Sequence, residues 1–267
     1  MNFLALSACV VDFYPQFKKS YLGGNSLNQA SMWKKLGVKN DVSIAAAIGK
    51  DDNGQRILDF LRRMKINTEY VYQLYGNTAN NQLRVDEFGE RFGIEGTWSG
   101  GVYENFLLGD KDWQFVKTQN VIATTANNPN FRELLKRKTN NQLVVIDYLD
   151  IENKIPIEAT IEQTDIALIT ARENLLPRYK ALAEKTGALI IVTLGAKGSY
   201  VFHNNDEYYQ ASIEVSKVVD TTGCGDAYLA AFSYVYANKS SIVESMEAGA
   251  LAASEILGYF GGVGNAE

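Results

Sequence analysis

The stretch Val218-Val219-Asp220-Thr221-Thr222-Gly223-Cys224-Gly225-Asp226, followed by the apolar run Ala227 to Val235, brings together residue types suited to phosphate chemistry. It reads as a strand, a glycine turn and a helix that opens on a carboxylate. The N–H groups of a helix's first turn have no internal partner, and the helix end is positive, so both attract anions. Glycines let the backbone approach a ligand closely and adopt positive φ. At the carboxyl end of a strand in an open α/β sheet, such a turn lies where ligands bind. Asp226 is placed to accept a proton from an attacking hydroxyl, and the helix end is expected to keep it ionised at neutral pH. The competing reading is a helix-capping Asp after a glycine turn.

Composition removes several other chemistries. The 267-residue chain carries a net charge of −5, one histidine and two cysteines. No basic block suggests nucleic-acid binding. No apolar run reaches the ~18 residues of a membrane span, and Met1 to Ser7 lacks the basic start of a signal peptide. A cytoplasmic protein is expected, with neither nucleic acid nor membrane as partner. Cys9 and Cys224 make a disulfide framework implausible, and with His203 they are too few for a structural zinc site. A Ser-His-Asp triad would need His203, which falls in a segment, Tyr200 to Tyr209, that reads as a hairpin tip.

The elements that must position Asp226 follow an α/β rhythm. Phe3 to Val11, Val42 to Ile48, Val121 to Thr125, Leu143 to Tyr148, Ile166 to Ile169 and Leu189 to Leu194 read as buried strands. Ser26 to Leu36, Asn53 to Met64, Leu175 to Lys185, Gly225 to Asn238 and Ser241 to Leu257 read as helices. This pattern predicts a doubly wound parallel sheet covered on both faces. Two segments, about 13–22 and 80–98, alternate like hairpins and break the rhythm. They suit a small β lid, discontinuous in sequence, on one domain spanning 1–267; ordinary surface excursions are the alternative.

The motif Asp220-Thr221-Thr222-Gly223-Cys224-Gly225-Asp226 resembles the Asp-Thr-x-Gly-Ala-Gly-Asp signature of ribokinase-like, PfkB-type carbohydrate kinases. Further motifs agree in order and spacing: Gly23-Gly24-Asn25-x-x-Asn28, Ile48-Gly49-Lys50-Asp51-Asp52-x-Gly54, Thr193-Leu194-Gly195-Ala196-Lys197-Gly198-Ser199, Gly249-Ala250-x-Ala252-Ala253 and Gly261-Gly262. The resemblance implies a ribokinase-like three-layer α/β/α doubly wound sheet with a small β-sheet lid. It implies ATP as phosphoryl donor with Mg²⁺, and leaves room for a monovalent cation such as K⁺ and for a homodimer through the lid. By the same resemblance Asp226 is the base, and Gly223, Cys224 and Gly225 form the anion hole. Asp12, Gly24, Asn25 and Asn28 hold sugar hydroxyls, Asp12 from a strand-end position. Thr193, Gly195 and Gly198 support ATP, with Gly261 beside the adenine. For Asn25 and Asn28, capping of the following helix is the alternative.

Three departures stand out. Cys224 replaces the usual Ala and puts a thiol, expected to be oxidisable, near the site. Thr170-Ala171-Arg172-Glu173 replaces Asn-x-x-Glu, leaving Glu173 as the residue that supports Mg²⁺ through water. Gly262 replaces a common Ala. The run Cys9 to Gln16 before Gly23-Gly24-Asn25, and Arg91-Phe92-Gly93 in the lid, look most like fructosamine kinases. Arg91 then reaches sugar oxygens or a substrate carboxylate, or else is a solvated hairpin charge. The acceptor is a small sugar or sugar-amine. Fructokinase or another ketose kinase is the nearest alternative. A nucleoside stacked on Phe13-Tyr14 or Phe17 and a non-catalytic sugar-binding module on the same fold are further ones. A Rossmann dehydrogenase is excluded, because no Gly-x-Gly-x-x-Gly follows the first strand.

Overall fold

A computed structural model describes residues 1–38, 41–149 and 156–264. Seven strands form a parallel sheet: β1 (Phe3–Leu6), β4 (Val42–Gly49), β5 (Asn67–Leu74), β8 (Val121–Thr125), β9 (Leu143–Asp147), β10 (Ile166–Thr170) and β11 (Leu189–Thr193). An antiparallel hairpin, β12 (Ser199–His203) and β13 (Asp206–Gln210), extends one edge. The spatial order is β13-β12-β11-β10-β9-β8-β1-β4-β5. Alternate residues of each strand enter opposite cores: Phe3 and Ala5 one, Leu4 and Leu6 the other. Helices α1 (Asn25–Lys35), α2 (Asp52–Arg63), α6 (Cys224–Lys239) and α7 (Ile242–Ile256) cover the first face. Helices α3 (Asp110–Val116), α4 (Phe131–Arg137) and α5 (Leu176–Thr186) cover the second. This is the expected three-layer α/β/α architecture, forced by strands that are apolar on both sides.

A separate sheet of order β3-β2-β6-β7 makes the lid: β2 (Val10–Tyr14), β3 (Lys19–Gly23), β6 (Asn80–Val85) and β7 (Arg91–Gly93). The apolar run from Phe3 to Val11 is therefore two strands in two sheets, broken at Ser7. The Ser7 N–H donates to Ser26 Oγ at 2.7 Å instead of continuing a ladder. Asp12 accordingly lies in the middle of a lid strand, paired with Tyr21, and not at the end of a core strand. Val218-Val219 is not a strand either. Residues 211–222 run without regular structure from β13 to α6. β5, half polar and at the sheet edge, carried no clear apolar signal and was not anticipated.

Two contacts tie the lid to the first helical face. Arg56 on α2 donates to Ser20 Oγ and O, at 2.8 and 3.2 Å. Asp51 caps α2 through the Gly54 N–H at 2.8 Å and also accepts from Thr78 N at 2.7 Å and Thr78 Oγ1 at 2.6 Å. Thr78 Oγ1 in turn accepts from Gly49 N at 2.9 Å. The Gly49-to-Gly54 motif is thus a structural knot joining β4, α2 and the chain that leads into lid strand β6. Burial alone would raise the Asp51 pKa, but the bonds from Thr78 and Gly54 outweigh it and hold the carboxyl below its ordinary value. Asp51→Ala should lower stability by about 1–2 kcal/mol at neutral pH in urea unfolding. Because the folded pKa is depressed, the gap between variant and parent should close as pH falls below the carboxylate range.

Candidate functional site

Asp226 sits in the first turn of α6 and is buried. Its Oδ1 accepts from Asn25 Nδ2 at 2.8 Å and Gln29 Nε2 at 3.3 Å, and its Oδ2 from Asn28 Nδ2 at 2.8 Å. The two asparagines therefore do not cap their own helix, whose N-cap, Gly24, has no side-chain cap bond. They reach across to the carboxylate on α6. Asn25, Asn28 and Gln29 share one face because residues three and four apart on a helix are neighbours. Gly24 makes this possible: with φ +88° it turns the chain where a Cβ would lie 2.6 Å from Ala8 O. Burial pushes the Asp226 pKa up, against the amide bonds from Asn28 and Asn25, the charge of Arg91 and the bond from Gln29. The direction is opposite to that expected from the helix end alone.

The glycine turn divides into structural and open positions. Gly223, at φ +82°, is the N-cap of α6, and a Cβ there would meet Gly262 Cα at 2.5 Å. A Cβ on Gly225 would meet nothing within 4 Å, and its φ is not positive, so packing does not demand glycine there. Open space beside first-turn N–H groups is what a close-approaching anion requires. The first α6 N–H bonded back in helical fashion is that of Ala227, to Gly223 O at 2.9 Å. The Cys224 N–H donates to Thr221 O at 3.3 Å, so of the three expected anion-hole groups it is the one with a protein partner here. The Cys224 side chain is directed away, its Sγ 3.6 Å from Ala253 O on α7. Burial, then Asp220, Glu90 and Asp226, push the thiol up to about 12, the direction that lowers its thiolate fraction and so works against the oxidisability expected from the sequence.

Asp12 is buried in β2, and Gly23 opposite leaves room for it: a Cβ on Gly23 would lie 2.5 Å from Asp12 Oδ2. Burial, opposed by the charge of Arg91 and reinforced by Asp220 and Asp226, raises the Asp12 pKa to about 7. Arg91 is exposed on β7, yet its charge acts on both Asp12 and Asp226. Its field thus falls on the site, which the solvated-hairpin reading did not foresee.

Asp220, fully buried, accepts four hydrogen bonds: from Tyr14 OH at 2.5 Å, Thr222 Oγ1 at 2.7 Å, Thr222 N at 2.9 Å and Gly261 N at 3.0 Å. Gly261 thus joins Asp220 and the lid, with Tyr21 Cβ where its own Cβ would be. It does not line the pocket at the carboxyl ends of β10 and β11. Gly249 is likewise a packing residue, with the Tyr228 ring 2.9 Å from where its Cβ would be. The buried Tyr14 ring is stacked on Phe17 and edge-on to Tyr21 and Phe260, so it is not free to stack a base, whereas Phe13 and Phe17 keep exposed ring surface. Sequence reasoning assigned no role to Gln29 or Asp220, and offered Tyr14 only as a ring on which a nucleoside base could stack. The fixed spacing of Asp220 before the glycine turn, and Gln29 one residue after Asn28, were the available signals.

On the other side of the site lies an open pocket of about 450 Å³, lined by Ala171, Arg172, Glu173, Asn174, Leu194 and Lys197. Thr193 faces Thr170 in register, their hydroxyls 3.1 Å apart. Gly195 at φ +60° has open space at its Cβ position, while Gly198 at φ +83° is forced by Gln210 O, 2.2 Å from its Cβ position. Glu173 is paired with Lys197 at 2.5 Å. Among the described residues no cluster of three or more His, Cys, Asp or Glu could hold a metal. This donor set fits Mg²⁺ only as an ion carried by nucleotide phosphates, with Glu173 as the one carboxylate of the pocket. Among the described residues no helix is long and apolar enough to cross a membrane.

An amide-held carboxylate at a glycine-opened helix start, under a small β lid, agrees with the sequence comparison. Residues 14–267 match the family described as pfkB family carbohydrate kinase. The chain belongs to that family. It is accordingly a phosphotransferase with an alcohol acceptor. Asp12 lies just ahead of the matched residues. Among curated pfkB-type relatives, a fructoselysine 6-kinase of Shigella flexneri is 24% identical over 254 residues, covering 94% of this chain and 95% of the relative. The fructosamine kinase FrlD of Bacillus subtilis is 24% identical, covering 99% and 93%. Ribokinase of Arabidopsis thaliana, solved with ribose and ATP, shares the fold with a TM-score of 0.82 and 21% identity, covering 98% of this chain and 94% of that one. Adenosine kinase of Sinorhizobium meliloti does so with 0.83 and 20%, covering 97% and 94%.

Two outcomes test this geometry. Asp220→Asn places an amide among groups that all donate, and should cost at least about 2 kcal/mol in urea unfolding. For Asp12, the folded state between about pH 4 and 7 holds a proton that the unfolded chain has released, so stability falls as pH rises through that window. Asp12→Asn cannot ionise, so its Tm relative to the parent should rise from pH 4.5 to 7.5; a pH-independent difference removes the buried-acid account.

Proposed function

We propose that this kinase transfers the γ-phosphoryl group of ATP to a hydroxymethyl group of a ketose-type sugar. The favoured acceptor is a fructosamine such as fructoselysine, phosphorylated at its 6-hydroxyl. The observation that carries the reading is Asp226, a buried carboxylate held on both oxygens by amides of α1, next to the open space at Gly225.

In this reading Asp226 accepts the proton of the acceptor hydroxyl as that oxygen bonds to the γ-phosphorus. The bond from phosphorus to the β–γ bridging oxygen breaks, and ADP leaves. A base raised toward neutrality by burial suits this step, and such help contributes roughly 10²–10⁴ in rate. Asn25, Asn28 and Gln29 fix the direction of the carboxylate. The N–H groups of Gly223, Cys224 and Gly225 and the positive end of α6 stabilise charge on the transferring group. Asp12, Gly24, Asn25, Asn28 and Arg91 hold the acceptor. Thr193, Gly195 and Gly198 form the turn beside the nucleotide, with Arg172 and Lys197 at the rim of the pocket. Mg²⁺, when bound with ATP, neutralises charge on the β- and γ-phosphate oxygens.

The fructosamine assignment rests on the two relatives above, whose names specify that class, and on Arg91 as a partner for the carboxylate of an amino-acid-linked sugar. Of the rings offered for a nucleoside base, Tyr14 is buried and packed on its neighbours, while Phe13 and Phe17 are exposed, so a nucleoside stays an alternative that the acceptor screen decides. Fructose or another plain ketose is the second reading, since the Asp226 geometry does not itself require an amine.

Asp226→Asn should lower kcat by about 10²–10⁴ while leaving sugar binding measurable by calorimetry. In the parent, kcat/KM should fall on the acid side as pH drops through the raised Asp226 pKa. An ATP-consumption screen over ketoses, fructosamines and nucleosides, with magnesium and potassium present, decides the acceptor. Preferred turnover of a nucleoside defeats the ketose assignment, and wild-type turnover by Asp226→Asn defeats the base.

A further inference from the structure

Thr221 makes contacts that phosphate chemistry does not require. Its Oγ1 accepts from the backbone N–H of Arg91 at 3.0 Å and donates to Glu90 Oε1 at 3.4 Å. Its own N–H donates to Gly89 O at 3.1 Å. Gly89 and Glu90 belong to the lid turn between β6 and β7, and Arg91 opens β7. That turn is itself braced: Asp86 Oδ1 accepts from Phe88 N and Glu90 N, each at 2.9 Å, and Gly89 N donates to Asp86 O at 3.1 Å. Gly89, at φ +79°, has Val218 Cγ1 and O each 2.7 Å from its Cβ position, so only glycine allows the turn to sit this close. The lid turn is therefore seated on Val218 and Thr221, immediately before the glycine turn of α6.

We infer that Thr221 is a positioning residue: its hydroxyl fastens the lid turn to the approach of α6 and so sets Arg91 over the acceptor side of the site. This rests on the reading of Arg91 as an acceptor-binding residue. β7 is an exposed three-residue edge strand, which by itself would hold a long guanidinium side chain loosely. A threonine hydroxyl supplies one donor and two acceptor positions, enough to bond a backbone N–H and a carboxylate at once. Arg91 lowers the carboxyl pKa of both Asp12 and Asp226, so its charge does reach the acceptor side in this arrangement. The latch thus links lid position to the charge over the site, without Thr221 touching the reacting atoms.

The test compares Thr221→Val, Thr221→Ser, Arg91→Ala and the Thr221→Val/Arg91→Ala double variant, using the ketose or fructosamine that the parent turns over. Thr221→Val should raise the acceptor KM about tenfold, with kcat and the ATP KM within about threefold of the parent. Thr221→Ser keeps the hydroxyl and should stay within about threefold of the parent throughout. The double variant should bind the acceptor no more weakly than Arg91→Ala, because the two residues act as one unit. Backbone amides of residues 86–93 should exchange hydrogen faster in Thr221→Val than in Thr221→Ser. A fall in kcat alone, additive losses in the double variant, a parent-like KM for Arg91→Ala or unchanged exchange over 86–93 overturns the inference. Exchange is read without substrate, so it decides the latch even if the parent turns over no ketose, a result that would defeat the functional reading instead.

Discussion

A fully buried carboxylate must be matched by donors, and Asp220 collects four of them from three distant stretches of chain. Tyr14 comes from the lid, Thr222 from the glycine turn and Gly261 from the C-terminal segment. Leaving any of these unmatched within the protein costs more than making the bond returns, so the three stretches are held together by a penalty on separation as much as by attraction. Around this point Phe260 packs on Tyr14, Phe17 and Tyr21, and Gly262 abuts Gly223 and the Asn28 side chain. The position of the lid and the start of α6 are in this sense one structural fact. The proposed base is six residues further along the same chain.

That coupling explains why the site lies where no strand leads directly into the motif. The parallel sheet supplies a rigid body, and its carboxyl ends supply the exits, but residues 211–222 reach α6 without regular structure. Their path is set by contacts made along the way: Val219 N to Leu257 O at 2.7 Å, Thr221 N to Gly89 O at 3.1 Å and Thr222 to Asp220. An irregular segment fixed at successive points can be as well placed as a strand, and it leaves its remaining polar groups available to the lid.

The sequence was most legible where burial is two-sided. Val121 to Thr125, three apolar residues followed by two threonines, is a strand over those same residues with all five buried, because a sheet covered on both faces selects for such runs. The same signal misled at Phe3 to Val11, where an equally apolar run crosses from the large sheet into the lid at Ser7. Apolar character reports burial and not which sheet does the burying. The edge strand β5 escaped notice because only one of its eight residues, Tyr70, is buried. At the site, residue identities were legible and partnerships were not. Asn25 and Asn28 have the residue types of helix caps, and only the fold shows that they reach 201 and 198 residues along the chain to Asp226. Cys224 was expected to serve an anion hole through its backbone alone, and only the fold shows where its side chain goes, toward Ala253 O on α7.

The charges divide the site into two chemically distinct halves. Asp12, Asp220, Asp226 and Glu90 gather around the lid and the start of α6, with Arg91 as the cation whose charge acts on this group. Arg172 and Lys197 line the pocket at the ends of β10 and β11, where Glu173 is already paired. On the proposed reading, a polyanion such as a nucleoside triphosphate is kept from the carboxylates of the first half and placed at the second. A neutral or cationic polyol faces no such penalty among the carboxylates. Burial raises the carboxyl pKa of both Asp12 and Asp226, and for Asp12 the neighbouring carboxylates of Asp220 and Asp226 add to it. On that reading one arrangement of charge sorts donor from acceptor, while burial tunes the group proposed to move the proton. At the glycine turn, backbone N–H groups contribute positive potential without a side chain that a ligand would have to displace.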